Sequence, residues 1–176
     1  MTPTSYDADY IEGLYVRHQT NNIDDTEDCN RLARLLRDRE ILLIGPGSSI
    51  LENEKKIKEY IKEKDAVTIS VNFSTLQFDS EYVFLSNAKR YNAWSDKFNL
   101  LPKSCKLILT SNINAFDRQP DYVINYNSLL MRDILGNDNA LLLCLRMLQR
   151  IGKRSVTLAG FDGFTNESRD YYDAVM

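Results

Sequence analysis

The sequence predicts an α/β protein with a three-layer, Rossmann-like architecture, in which an open, mainly parallel sheet is flanked by helices. Short apolar runs alternate with longer segments of helical periodicity between residues 25 and 159. The run Ile41–Ile44 has no polar alternation, which is typical of a parallel strand buried on both faces. Gly45-Pro46-Gly47 follows at once and suits a tight strand-to-helix turn.

Size and composition limit the classes of function. The 176 residues suffice for one core of ordinary size, and 43% hydrophobic with 27% charged residues is a globular composition. The net charge of −3 gives no support to a nucleic-acid binder, which usually has a basic face. No apolar run approaches the roughly 18 residues that span a bilayer, and the acidic N-terminal region does not resemble a signal peptide. We therefore expect a cytoplasmic protein that binds neither nucleic acid nor a membrane.

The three cysteines, Cys29, Cys105 and Cys144, are widely spaced and form no CxxC or Cys/His cluster. We predict free, mostly buried thiols in a reducing compartment and no structural zinc site. No metal or other cofactor is required by the sequence.

Residues 1–24 are predicted to form an N-terminal arm and linker, and residues 25–176 the α/β domain. The arm is rich in tyrosine, which is enriched at interfaces, so it can pack on this domain, a second copy or a neighbouring domain. Its tyrosines are Tyr6, Tyr10 and Tyr15. The only histidine, His18, also lies in the arm, and we interpret it as an exposed or packing residue rather than a general base.

The first helix of the domain is predicted to begin at Asp25 or Thr26, both of which are suitable N-caps. Leu32, Leu35 and Leu36 follow at helical spacing, so we expect all three to face the core.

Ser49 and Glu52 match the S-x-x-E capping box, which predicts where the second helix begins. Ile50, Ile57 and Ile61 would share one face of that helix.

Further strands are predicted from β-branched and apolar runs. They are Ala66–Val71, Glu81–Leu85, Lys106–Leu109, Tyr122–Asn125 and Val156–Ala159. An apolar helix capped within Asn137–Asn139 precedes the last strand, and its apolar residues are Leu141, Cys144, Leu145, Leu148 and Ile151. The pattern breaks off at Tyr171–Met176, so we expect a piece of a longer protein.

Ligands of open parallel sheets bind beyond the carboxyl ends of the strands, and polar residues follow nearly every predicted strand. Glycines permit close approach to a ligand, a helix N-terminus favours an anion, and two cations could neutralise it. We therefore predict a site for a nucleotide or another small anionic metabolite. The candidate residues are Gly45, Pro46, Gly47, Ser48, Ser49, Asn72, Ser86, Asn87, Lys89, Arg90 and Asp162.

Turn chemistry alone is the alternative interpretation of this loop. Gly45-Pro46-Gly47 is not the G-x-G-x-x-G fingerprint, because Ile50 stands where the third glycine would be, and no Walker lysine follows. Catalytic residues cannot be assigned, since no triad or nucleophile elbow is present. Asp162 is either a base, an acceptor for a ribose hydroxyl or a structural turn residue.

Nearly the whole chain, Tyr10 to Tyr172, resembles the C-terminal extension of bacterial 4-hydroxy-2-oxovalerate aldolases of the HMG-CoA-lyase-like family. The segments that carry the resemblance include Ile41–Ile50, Ile69–Phe73, Tyr82–Asn87 with Lys89-Arg90-Tyr91, and Ala159–Gly163. It implies a metal-dependent aldolase barrel as a partner earlier in the parent chain. The residues that would hold the divalent metal belong to that barrel, so no lyase site residue is assigned here.

Gly45–Ser48 and Asn72 also resemble the nucleotide-binding edge of bacterial sialyltransferase-like domains, which implies binding of a nucleotide-sugar. Their catalytic histidine has no counterpart in this sequence. Three hypotheses follow. The first is an accessory domain that binds a nucleotide, nucleotide-sugar or other anionic metabolite, and the second is a glycosyltransferase-like enzyme in which Asp162, Ser86 or Asn87 assists. The third is a scaffold whose arm docks the aldolase barrel or mediates homo-oligomerisation.

Overall fold

A computed structural model of the chain describes residues 22–73, 78–115, 118–131 and 139–162. Within them lies one six-stranded sheet of order β5-β4-β3-β2-β1-β6, and every neighbouring pair of strands is parallel. The strands are β1 Ile41–Ile44, β2 Val67–Val71, β3 Tyr82–Leu85, β4 Lys106–Thr110, β5 Tyr122–Ile124 and β6 Thr157–Ala159. The predicted strands are thus all present, with bounds that differ by at most one residue at each end.

Helices cover both faces of the sheet, which confirms the predicted three-layer α/β Rossmann-like fold. They are α1 Thr26–Leu36, α2 Ser49–Glu52, α3 Glu54–Lys64, α4 Ala88–Trp94, α5 Tyr126–Leu129 and α6 Ala140–Arg150, with a 3₁₀ helix at Ser95–Leu100. On one face α1, α5 and α6 form a single core with the sheet. On the other face α2 and α3 pack near β1, and α4 with the 3₁₀ helix packs on β3 and β4.

Strand β1 lies inside the sheet, between β2 and β6, and all four of its side chains are buried. Leu43 pairs with Ile69 of β2 on one side and with Leu158 of β6 on the other. Neighbours on both edges and helices on both faces explain why Ile41–Ile44 is apolar throughout.

Helix α1 differs from the prediction in two respects. Leu32 and Leu36 are buried, but Leu35 is 54% exposed and lines a groove at the edge of the sheet. Asp25 occupies the N-cap position without making a side-chain cap hydrogen bond. Its carboxylate instead binds Arg150, with Nη1–Oδ2 and Nη2–Oδ1 distances of 2.9 and 2.8 Å. Asp24 Oδ1 accepts a hydrogen bond from Thr26 N at 3.0 Å in its place.

The predicted capping box at Ser49 is wrong, although a helix does begin at that residue. Helix α2 has no side-chain cap hydrogen bond, because the hydroxyl of Ser49 is directed to Asp162. The single helix expected here is also two helices, interrupted at Asn53. Ile50 and Ile57 are buried as predicted, whereas Ile61 is only partly buried.

Asn139 caps α6 as predicted, since its Oδ1 accepts hydrogen bonds from Leu141 N at 3.0 Å and Leu142 N at 3.3 Å. Asn137 lies outside the described residues. Cys144 and Leu148 on this helix are fully buried against the sheet.

Two carboxylates, one at the N-cap of α1 and one in its first turn, close the outer edge of β5. Val123 N donates to Asp28 Oδ2 and Asn125 N donates to Asp25 Oδ2, both at 2.8 Å. Alternate residues of an edge strand direct their N–H groups outward, where they can recruit another strand. Asp25 and Asp28 are one helical turn apart, so their carboxylates reach the outward N–H groups of Asn125 and Val123.

The C-terminal end of α1 is held by a lysine from the far part of the chain. Lys153 Nζ donates to the carbonyl oxygens of Leu36 at 3.1 Å, Arg37 at 3.2 Å and Arg39 at 2.7 Å. A cation is favourable there because the last carbonyls of a helix carry a partial negative charge. Among the helices of the described segments, none is both long and apolar enough to cross a membrane.

Candidate functional site

Because every strand runs in the same direction, all the predicted site residues lie at one edge of the sheet. The chain adds β2 to β5 successively on one side of β1 and then returns to place β6 on the other side. The edge between β1 and β6 is therefore the topological switch point, where ligands of such sheets bind. Gly45–Ser48 and Gly160–Asp162 are the two loops that meet there.

These two loops pack directly on each other. Gly45 N donates to Ala159 O at 2.8 Å, and Gly47 N donates to Gly160 O at 2.7 Å. A Cβ at residue 45 would stand 2.4 Å from Gly160 O, and one at residue 47 would stand 2.7 Å from the same atom. The glycines are thus explained by contact between loops, which favours the turn interpretation for this part of the site.

Asp162 occupies the place expected for the anion of a ligand. Its Oδ2 accepts a hydrogen bond from Ser49 N at 2.7 Å, and its Oδ1 accepts one from the Ser49 hydroxyl. The same carboxylate lies against Gly47, where an added Cβ would be 2.5 Å from Oδ2. Pro46 and Ser48 are partly exposed beside it. Asp162 thus supplies the negative charge at this loop from within the chain.

A second group of candidates lies at the ends of β2 and β3. Asn72 has a left-handed backbone with φ 58°, which asparagine tolerates better than most residues. Its Oδ1 accepts a hydrogen bond from Ser86 N at 3.1 Å, so the side chain joins the two strand ends. No hydrogen bond of the Asn72 side-chain amide nitrogen is found within the described residues, which leaves that donor available.

Ser86 carries a buried hydroxyl without a partner in the part of the chain that the structure describes. The residue is 6% exposed, and its backbone groups are bound by Asn72 and by Asn112, whose Nδ2 donates to Ser86 O at 3.2 Å. Buried hydroxyls are usually hydrogen-bonded, so an unused one at a strand end can bind a ligand or a water molecule. Asn112 was not among the candidates, although its position just after β4 carried the same sequence signal.

Asn87 and Lys89 lie at the start of α4. Asn87 Oδ1 accepts hydrogen bonds from Lys89 N at 2.9 Å and Arg90 N at 3.3 Å and so caps the helix. Lys89 is exposed, and its ammonium has no partner among the described residues. Arg90 is partly buried and is engaged in further contacts.

The two groups differ in what they offer a ligand. At the β1–β6 loops, Asp162 already accepts from the N–H and the hydroxyl of Ser49, and the carbonyls of Ala159 and Gly160 accept from the N–H groups of the two glycines. At the β2–β4 ends, about 10 Å across by the usual strand spacing, hydroxyl, amide and ammonium donors remain. Phosphate and carboxylate oxygens are the acceptors that such donors bind.

A polar cluster at the end of β5 is by contrast internally satisfied. Burial alone would raise the pKa of Asp25, but hydrogen bonds from Arg150 and from Asn125 N outweigh it and hold that pKa below its ordinary value. The same ion pair raises the pKa of Arg150. We interpret Asp25 and Arg150 as a structural pair.

The described residues contain no group of three His, Cys, Asp or Glu side chains that could hold a metal ion. All eleven candidate residues are described, whereas His18 in the arm and Gly163 after Asp162 lie outside the described ranges.

The chain matches no protein-family model, no curated protein and no solved structure. The resemblances to aldolase extensions and to sialyltransferase-like domains therefore stay predictions.

Proposed function

We propose that this protein is an accessory domain that binds a small anionic metabolite, such as a nucleotide or nucleotide-sugar, at the carboxyl edge of its sheet. The resemblance to aldolase extensions suggests that it works beside a lyase barrel in a longer chain. The observation that carries the binding proposal is the unpartnered hydroxyl of Ser86, which is 6% exposed and lies between Asn72 and Asn112.

The ligand's charged group binds beyond β2 and β3. Asp162 already accepts from the N–H and hydroxyl of Ser49 after β1, so a second anion there would meet a carboxylate at close range. Lys89 supplies a cation near the β3 end, and Ser86 and Asn72 supply neutral donors. The rest of the ligand extends toward the switch point between β1 and β6, where the Asp162 carboxylate accepts from ribose or sugar hydroxyls.

Isothermal titration calorimetry on the 176-residue chain tests this proposal. The probes are cytidine and uridine monophosphate, the corresponding nucleotide-sugars, and inorganic phosphate. We expect binding of at least one nucleotide, weakened about tenfold by either Ser86→Ala or Lys89→Gln, since a charge-assisted or buried hydrogen bond contributes on the order of 1–3 kcal/mol.

Lys103→Gln is the matched control, because Lys103 is an exposed lysine that precedes β4, at the opposite edge of the sheet. Absence of binding by every probe would contradict the proposal. Binding that Ser86→Ala and Lys89→Gln leave at the level of the control would place the ligand elsewhere and contradict it equally.

A further inference from the structure

A groove of about 540 Å³ lies at the amino edge of the sheet, on the side opposite to the proposed anion site. Pockets for small ligands have volumes of this order. Its lining includes Tyr82, Tyr122, Leu35, Asp79, Glu81 and Lys106. Tyr82 and Lys106 are paired at the starts of β3 and β4, and Tyr122 begins β5, so the sheet itself fixes the floor of the groove.

Two buried tyrosines form this floor. Tyr82 is 7% exposed and Tyr122 is 4% exposed, and their ring centroids are 6.3 Å apart. Neither hydroxyl has a hydrogen-bond partner within the described segments. Buried tyrosine hydroxyls normally find a partner, so two unused ones lining the same groove point to a ligand that supplies it.

The charged groups around the floor decide which ligand fits. Lys106 is already engaged, since its Nζ lies 3.1 Å from Asp121 Oδ1. Glu81 has only a long contact of 3.5 Å with Arg39, and the exposed carboxylate of Asp79 has no partner in the described chain. The groups without a partner in the described chain are the Asp79 carboxylate, which is an acceptor, and the two phenol hydroxyls, which can accept or donate.

The hydroxyl of Tyr82 stays neutral at physiological pH, because its pKa is raised. Burial, with smaller contributions from Tyr122 and Glu81, raises the pKa of Tyr82 to about 12. A neutral phenol oxygen can accept a hydrogen bond from an ammonium. The Arg31 guanidinium already lies over the Tyr122 ring, 4.7 Å from its centroid, so the two hydroxyl oxygens rather than that ring face would hold a ligand.

We propose that this groove binds a small organic cation, a primary ammonium on an apolar body. The ammonium lies at Asp79 and donates to the hydroxyls of Tyr82 and Tyr122. The apolar body covers Leu35, which is 54% exposed at the groove wall. The site is separate from the carboxyl edge, because it lies at the opposite ends of the same strands, and it does not depend on the function proposed there.

Two probes with the same apolar body and opposite charge test the inference on the 176-residue chain by NMR titration: 2-phenylethylamine and 3-phenylpropionate. We expect the amine to bind and the carboxylate to bind at least tenfold more weakly. Asp79→Asn and Tyr82→Phe should each weaken amine binding about fivefold to tenfold, because the first removes the charge that faces the ammonium and the second removes a hydrogen bond to it. Asp96→Asn, an exposed aspartate on the 3₁₀ helix, is the control and should leave binding unchanged.

Tyr122→Phe provides a second variant if Tyr82→Phe lowers the yield of folded protein, because it removes the other hydroxyl and no described hydrogen bond. The inference is overturned if neither probe binds, if both bind equally, or if Asp79→Asn behaves like Asp96→Asn.

Discussion

Gly47 lies directly against Asp162, and the two residues lock the turn after β1 to the turn after β6. The Gly47 N–H donates to Gly160 O at 2.7 Å, and a Cβ at residue 47 would stand 2.5 Å from Asp162 Oδ2. The sequence predicted that Gly47 leaves space for a ligand. In the structure, Asp162 and Gly160 of the same chain occupy that space.

Gly47→Ala should destabilise the protein by about 2 kcal/mol, because the new methyl group meets the backbone oxygen of Gly160 as well as Asp162. Urea denaturation followed by circular dichroism measures the loss. Ser48→Ala is the neighbouring control and should change the free energy of unfolding by less than about 0.5 kcal/mol. Equal stability of the two variants would show that the loops do not meet as described.

Ser86→Ala should leave the ligand-free protein as stable as the wild type or more stable by up to about 1 kcal/mol. The hydroxyl is buried without a partner in the described residues, so its removal abolishes a desolvation cost and no hydrogen bond. Thr110→Val is the comparison, because the Thr110 hydroxyl is bonded to Asn112 and its removal should destabilise. A clear loss of thermal stability in Ser86→Ala would contradict this prediction, because it would show that the Ser86 hydroxyl stabilises the ligand-free fold.

Asp25→Asn should cost about 2–4 kcal/mol at pH 7, because it breaks a largely buried pair with Arg150. The pKa of Asp25 is lowered in the folded protein, so its contribution is complete above the unfolded value of about 4 and is lost as the pH falls through the folded value. The difference between wild type and variant should therefore narrow below pH 4 in urea titrations. The exposed Asp38→Asn is the control, and a pH-independent difference would refute the assignment.

The cysteines should react with a thiol reagent at pH 8 only as the protein unfolds. Burial raises the pKa of Cys144 far above its ordinary value and that of Cys105 to about 11, and it also raises the pKa of Cys29. Ellman's reagent should give three thiols in urea and a slow reaction without it. Rapid labelling of a thiol in the folded protein would contradict this prediction. Cys29 is partly exposed and should be the first of the three to react.

The strands could be predicted from the sequence because a buried strand appears there as a continuous run of apolar residues. Ile41–Ile44 is apolar throughout because β1 has neighbours on both edges and helices on both faces. Leu35 has the same helical spacing as Leu32 and Leu36 but is exposed, since spacing alone does not tell how wide the buried face is.

The contacts between residues far apart in the chain could not be predicted, because no local sequence pattern indicates them. Ser49 was predicted to cap its own helix, and Asp25 was predicted to do the same, but partners 113 and 125 residues away engage their side chains. A capping motif reports local preference, and a carboxylate or arginine brought near by the fold competes with it. The candidate site residues could be predicted together because parallel strands end at one edge of the sheet. Which of them already have hydrogen-bond partners within the chain depends on contacts between distant residues, which the sequence does not show.

Arg150 and Lys153, three residues apart near the end of α6, hold the two ends of α1 through Asp25 and through the carbonyls of Leu36, Arg37 and Arg39. Helix α1 therefore cannot fray from either end without releasing a contact to the last residue of α6 or to the turn that follows it. Amide hydrogens of both helices should exchange through a shared opening event rather than independently. In the folded domain, the earliest and the latest helices of the described chain open and close as one cooperative unit.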